Sequence, residues 1–149
     1  MLVAASGHSE DIDTLEAFAE IREQCEPALR GKTPQAGLLF AAIDFEHQDL
    51  LDAIHEAWPG IQLIGCTTDG ELSSCQGFKE DSISLLLLAS DTIEFTTGLG
   101  REVSQGAEAA CSRAVAEARA KTTLEPSVCI ATPESLTRSG QQIVEALAK

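Results

Sequence analysis

The stretch Ile61-Gln62-Leu63-Ile64-Gly65-Cys66-Thr67-Thr68-Asp69-Gly70-Glu71 decides the fold class of this chain. Ile61, Leu63 and Ile64 form a short apolar run, which favours an extended backbone buried on both faces. Gly65 then removes side-chain bulk, and Cys66, Thr67 and Thr68 set one thiol and two hydroxyls at the strand end. Asp69-Gly70 is a turn signal, because glycine tolerates positive φ and aspartate bonds the backbone ahead of it. Just upstream, residues 48–58 put Leu50, Leu51, Ile54, Ala57 and Trp58 on one side of a helix that Pro59-Gly60 stops. Before that helix, residues 36–43 read as another apolar strand with Asp44 at its C-terminal end. Strand, helix and strand within about 30 residues make a βαβ unit, which requires parallel strands.

Working outward, residues 3–6 form a short first strand. Residues 9–30 carry Ile12, Leu15, Phe18, Ala19, Arg22, Cys25 and Leu29 at helical spacing. Glu10, Asp11 and Asp13 suit the positive end of that helix. Arg30-Gly31-Lys32-Thr33-Pro34 ends it. Downstream, residues 82–89 are a near-continuous apolar run, hence a strand buried on both faces. Residues 93–99 alternate, and the two are expected to pair as an antiparallel hairpin. Val103, Ala107, Ala110, Cys111, Ala114, Val115 and Ala118 fall on one face of an alanine-rich helix over 103–121. A further strand is expected over 126–131, and Ser139-x-x-Gln142 matches a capping box ahead of a last helix. The fold class is α/β: a single mixed β-sheet, built from a βαβ unit plus an antiparallel hairpin and covered by helices. The chain reads as one domain over 1–149. The last helix presents an apolar face with nothing after it to pack on, so a longer parent protein is expected.

Bulk properties narrow the function. With 149 residues the chain can bury a real core. Its formal net charge of −14 opposes binding to nucleic acid or to anionic membrane, both of which need clustered Lys and Arg. The longest apolar run is far shorter than the ~20 residues that cross a bilayer, and the first residues carry no basic leader. The five cysteines, Cys25, Cys66, Cys75, Cys111 and Cys129, are odd in number and lack C-x-x-C spacing. Reduced thiols in a cytoplasmic protein fit that pattern, rather than a disulfide framework or zinc ribbon.

The order of these motifs resembles the N-terminal half of FIST proteins. The resemblance is carried by Gly37-Leu38-Leu39-Phe40-Ala41, a helix, and then Gly60-Ile61-Gln62-Leu63-Ile64-Gly65-Cys66-Thr67-Thr68-Asp69-Gly70-Glu71. Gly77, the apolar strand at 82–88 and Gly98-Leu99-Gly100 before the alanine-rich helix follow in the same order. The resemblance implies an intracellular sensory domain that binds small ligands, amino acids among them, in signal transduction. It also implies a second, C-terminal domain as companion, and it supplies no catalytic residues.

From the residues themselves, the leading site is the block of Gly65, Cys66, Thr67, Thr68, Asp69, Gly70 and Glu71, with Asp44 as a neighbour on the adjacent strand end. Hydroxyls beside carboxylates suit an ammonium group, and turn amides suit a carboxylate; an amino acid carries both. The plainer alternative is a well-made turn whose hydroxyls cap backbone groups. For Asp44 the plainer alternative is a cap for the helix at Gln48. Cys66 could instead be a nucleophile activated by turn amides or by a histidine. Of His8, His47 and His55, His8 follows the first strand and could lie near the same sheet edge, whereas His47 and His55 lie at or near a surface helix. A free cysteine is also a common small core residue. Gly98-Leu99-Gly100 falls short of a phosphate loop. The histidines and cysteines give no metal spacing. The sequence therefore reads as a non-enzymatic sensor without a cofactor. A Cys66-dependent enzyme and a protein-interaction module are the alternatives.

Overall fold

The computed structural model describes residues 1–133, 136 and 139–148. The chain divides into two compact units, residues 1–95 and 96–149. In the first unit the elements run β1 (Leu2–Ser9), α1 (Thr14–Leu29), β2 (Ala36–Ala41), α2 (His47–Ala57), β3 (Gln62–Thr67), β4 (Glu71–Ser73), β5 (Gly77–Lys79) and β6 (Ile83–Ser90). Four strands form a mixed sheet in the order β1-β6-β2-β3, and β4 and β5 form a separate two-stranded sheet. β2 and β3 pair in parallel, with Leu39 opposite Gly65 and Ala41 opposite Thr67. This is the expected βαβ unit, with α2 as its crossover.

β6 occupies the sheet interior and pairs antiparallel with β1 on one side and β2 on the other. Its sequence explains the position. Ile83, Leu85 and Leu87 are fully buried on one face, with Leu86 and Leu88 half-buried on the other, so the run is apolar on both faces. The face that carries Ala5, Leu39, Ala41, Ile83, Leu85 and Leu87 packs against Phe18, Ile21 and Cys25 of α1 and Leu50 and Ile54 of α2. Phe18 meets Trp58 edge to face, ring centres 5.8 Å apart, a favoured aromatic geometry. Gly7 lets α1 approach this closely. A side chain there would lie 2.7 Å from the Ile21 carbonyl oxygen.

Helix α1 begins at Asp13, whose carboxylate accepts from the backbone N–H groups of Leu15 and Glu16, as an N-cap should. It therefore starts later than the expected residue 9. Residues up to Ser9 belong to β1, which is longer than the expected 3–6. The helix runs through Pro27 and ends at Arg30, which takes the left-handed conformation.

Two expected strands do not form. Residues 93–99 join no ladder, so the antiparallel partners of the apolar strand are β1 and β2 instead. The only hairpin among the described residues is the short β4–β5 pair, which the sequence reading did not foresee. Residues 126–131 also lack regular structure.

In the second unit, α3 (Ala107–Arg119) follows a 3-10 turn at Val103–Gln105, and α4 (Gly140–Leu147) closes the described chain. Ala107, Cys111 and Ile143 form its small core. Gly98 and Gly100 lie against α3. A side chain at Gly98 would sit 1.9 Å from the Ala114 carbonyl oxygen, and one at Gly100 would sit 2.4 Å from that of Ala110. The segment joins no ladder, and two of its backbone groups bond to side chains instead. The Leu99 N–H donates to Glu117 (3.1 Å) and the Lys121 ammonium donates to the Thr97 carbonyl (2.7 Å). The two glycines thus serve close packing on an alanine face.

Candidate functional site

The block at residues 65–71 is divided by the fold. Gly65, Cys66 and Thr67 are the last residues of β3, and Thr68, Asp69 and Gly70 bend the chain. Glu71 opens β4 and turns inward. Gly65 has no room for a side chain, since one would meet the Leu39 carbonyl oxygen at 1.9 Å. Gly70 does not use the positive φ expected of it. It makes room for the Phe78 ring instead, which would lie 2.5 Å from an added Cβ.

Cys66 and Thr67 are exposed and border a cleft of about 240 Å³ at the C-terminal ends of β2 and β3. Leu39, Ala41, Leu50, Leu51 and Leu63 give it an apolar floor and wall, and His47 of α2 reaches its rim. The crevice outside the carboxyl ends of parallel strands is where α/β sheets usually bind ligands. The His47 Nε2 lies 3.0 Å from the Ala42 carbonyl. A carbonyl can only accept, so Nε2 carries the proton and the ring orientation is fixed.

The carboxylates expected at this rim are elsewhere. Asp69 and Asp44 are exposed and do not line the cleft. Asp44 does not cap α2 either; Glu46 holds that position, and its N–H is bonded to the Thr14 hydroxyl at 3.0 Å. Glu71 is 1 % exposed. Its carboxylate accepts hydrogen bonds from the Thr68 hydroxyl, the Ser82 hydroxyl and the Ser82 N–H, the last at 3.2 Å. Buried charge is tolerated when its lone pairs are satisfied in this way.

His8 is not beside Cys66, as the sequence reading had it. β1 and β3 are opposite edges of the four-stranded sheet. His8 is fully buried, with Nδ1 2.6 Å from the Ser73 hydroxyl and Nε2 2.9 Å from the Ser82 hydroxyl. Burial holds its pKa below the ordinary value of 6.5, against the opposing pull of Glu71 and Glu10; Lys79 adds to the lowering. Sequence reasoning missed Ser73 and Ser82 because single serines carry no spacing signal. The buried polar pair His8-Ser9 at the end of a strand was the available clue. Among the cysteines, Cys25 and Cys111 are buried, whereas Cys66, Cys75 and Cys129 are exposed. Burial, reinforced by Cys75, pushes the Cys25 thiol up to about 11.

The family follows once these positions are set out. The FIST N domain matches residues 35–149, from the start of β2 to the chain's end. The chain belongs to the FIST family. No curated protein matches it. FIST is a signalling-associated domain, and the expected family resemblance and mixed α/β class both hold. No helix among the described residues is long and apolar enough to cross a membrane. The FIST match begins after β1 and α1, yet both belong to the same compact unit as β2.

Proposed function

We propose that this FIST domain is an intracellular sensor whose cleft at the ends of β2 and β3 binds a small molecule with an apolar body and one polar end. The observation that carries this reading is the cleft itself, with leucines inside and Thr67, Cys66 and His47 at its edge. The leucines would take an aliphatic side chain, and the Thr67 hydroxyl would donate to a carboxylate or other polar head. His47 Nδ1, with Nε2–H committed to the Ala42 carbonyl, would accept from a donor group. An amino acid with an apolar side chain fits this description. Its ammonium group would lack the carboxylate partners expected earlier, since Asp44, Asp69 and Glu71 are not on the cleft. Occupancy would be signalled to a companion domain or to a separate signalling protein in the cytoplasm.

The test is a thermal-shift and calorimetric screen of apolar amino acids, their keto and hydroxy acids, and short fatty acids. A binder at 100 times its Kd should add about 2.7 kcal/mol of stability. Leu51→Trp, which fills the cleft, should abolish the shift, and Thr67→Ala should weaken it. A panel without a single shift, or shifts that both variants leave intact, would overturn the proposal.

A second reading has its own observation: Cys66 and His47 share the cleft. In it, the Cys66 thiol is a nucleophile and His47 its base. Iodoacetamide labelling at neutral pH separates the two. Cys66 should react far faster than the exposed Cys75 and Cys129 if this second reading holds, and at a comparable rate if it does not.

A further inference from the structure

On the sheet face opposite α1 and α2, four side chains form a continuous hydrogen-bonded chain from a buried carboxylate to a half-buried hydroxyl. Its members are Glu71, Ser82, His8 and Ser73. Each proton in it is fixed by elimination. The carboxylate of Glu71 only accepts, so the Ser82 hydroxyl donates to it. Ser82 Oγ therefore accepts from His8 Nε2–H. The neutral ring then has its lone pair on Nδ1, facing Ser73 Oγ at 2.6 Å. Ser73 must donate its proton there, and its oxygen in turn accepts from the Gln76 N–H at 3.2 Å. Glu71, Ser82 and His8 are 0–1 % exposed. Ser73 is the member that reaches the surface, between exposed Leu72 and exposed Ser74. A hydroxyl on a base, with the base held by a third group, is the geometry of an activated nucleophile.

We propose that Ser73 is a nucleophile toward activated acyl esters, with His8 as its general base and with Ser82 and Glu71 as positioning residues. Ser73 Oγ attacks the acyl carbon while its proton passes to His8 Nδ1. The imidazolium keeps its Nε2–H on Ser82, which the Glu71 carboxylate polarises. The bond from the acyl carbon to the alcohol oxygen breaks, and the departing alkoxide takes the proton from Nδ1. The product is an ester on Ser73 plus a free alcohol. Water releases the acid by the same steps, with its proton passing through Nδ1 and Ser73 regaining its own. The site lies on the other sheet face from the β2–β3 cleft and does not rest on the sensor reading.

The groups facing His8 set the pH dependence. Glu71 from β4 and Glu10 after β1 favour its charged form, whereas burial and Lys79 of β5 oppose it. Gln24 of α1 and Gln76 bond only its backbone.

The whole chain is treated with p-nitrophenyl acetate and, separately, with a fluorophosphonate, and adducts are mapped by peptide mass spectrometry. The expected result is modification of Ser73, with the adjacent exposed Ser74 as internal control. Ser73→Ala should abolish it, and His8→Gln should slow it by about a hundredfold or more, with folding of each variant checked by circular dichroism. If His8→Gln fails to fold, the wild-type pH profile decides. The rate should fall as pH drops through the depressed His8 pKa, and Glu71→Gln should move that midpoint to lower pH by removing a charge that favours the imidazolium. Labelling of Ser73 no faster than Ser74, or a rate that shows no fall on acidification below about pH 6.5 while the protein stays folded, would overturn the proposal.

Discussion

Replacing Glu71 separates a structural carboxylate from a ligand-facing one. In Glu71→Ala, the fully buried Ser82 N–H loses its acceptor, at a cost of about 1–3 kcal/mol. The Thr68 hydroxyl is half-buried and can turn to water. The Ser82 hydroxyl is also rescued, because it can turn to His8 Nε2 if that ring changes tautomer and donates from Nδ1 to Ser73. The void left by the missing side chain adds about 1 kcal/mol or more. The sum is a loss of about 3 kcal/mol, which at this chain length lowers Tm by roughly 6–12 °C. Glu71→Gln should cost less than half as much. Its amide oxygen can accept from both Ser82 groups, while its NH₂ donates to the Thr68 oxygen. Urea unfolding followed by circular dichroism, with Tm alongside, measures both variants. A loss below about 1 kcal/mol for Glu71→Ala, or Gln costing as much as Ala, would refute the reasoning.

Three further outcomes are expected. Gly65→Ala should destabilise by several kcal/mol, on the order of an overpacked core or more, because its Cβ meets the Leu39 carbonyl and must force β2 and β3 apart; Gly60→Ala, in open space at φ +83°, should cost only about 1 kcal/mol. Thermal melts of the two variants compare them. Stability should fall on acidification below about pH 6.5, since the unfolded chain protonates His8 before the folded one does; His8→Gln should flatten that dependence in a pH series of melts. Cys25 should resist alkylation in the folded protein. As pH rises from about 9 toward 11, its unfolded thiol ionises first, so stability should decline by up to roughly 3 kcal/mol, an effect absent in Cys25→Ala.

The sequence disclosed what repeated patterns can carry. The βαβ unit was legible because β2, α2 and β3 each show a plain apolar rhythm and Pro59-Gly60 stops the helix. The buried run at Ile83–Ser90 was legible as a strand, but its neighbours were not, since an apolar run does not name its partners. Residues 93–99 alternate like a strand, yet Gly98 presses on α3 and the backbone finds Lys121 and Glu117 rather than a ladder. The hairpin of β4 and β5 has three residues per strand, too few for alternation to register. At the site, the thiol and Thr67 hydroxyl at the end of β3 do border a cleft. The acids nearby in sequence do not: Asp44 and Asp69 stay exposed off the cleft, and past the bend Glu71 turns into the interior. His8 and Ser82 were invisible as a pair because 74 residues separate them.

The central position of β6 bears on how the protein can be cut. The family boundary falls at residue 35, but β1 zips to β6 along all eight of its residues. A piece trimmed to that boundary would bare one flank of the most hydrophobic strand in the sheet and strip the α1 cover from its inner surface. Such a ribbon invites edge-to-edge stacking with its own kind, so the first 34 residues act as the built-in guard against clumping.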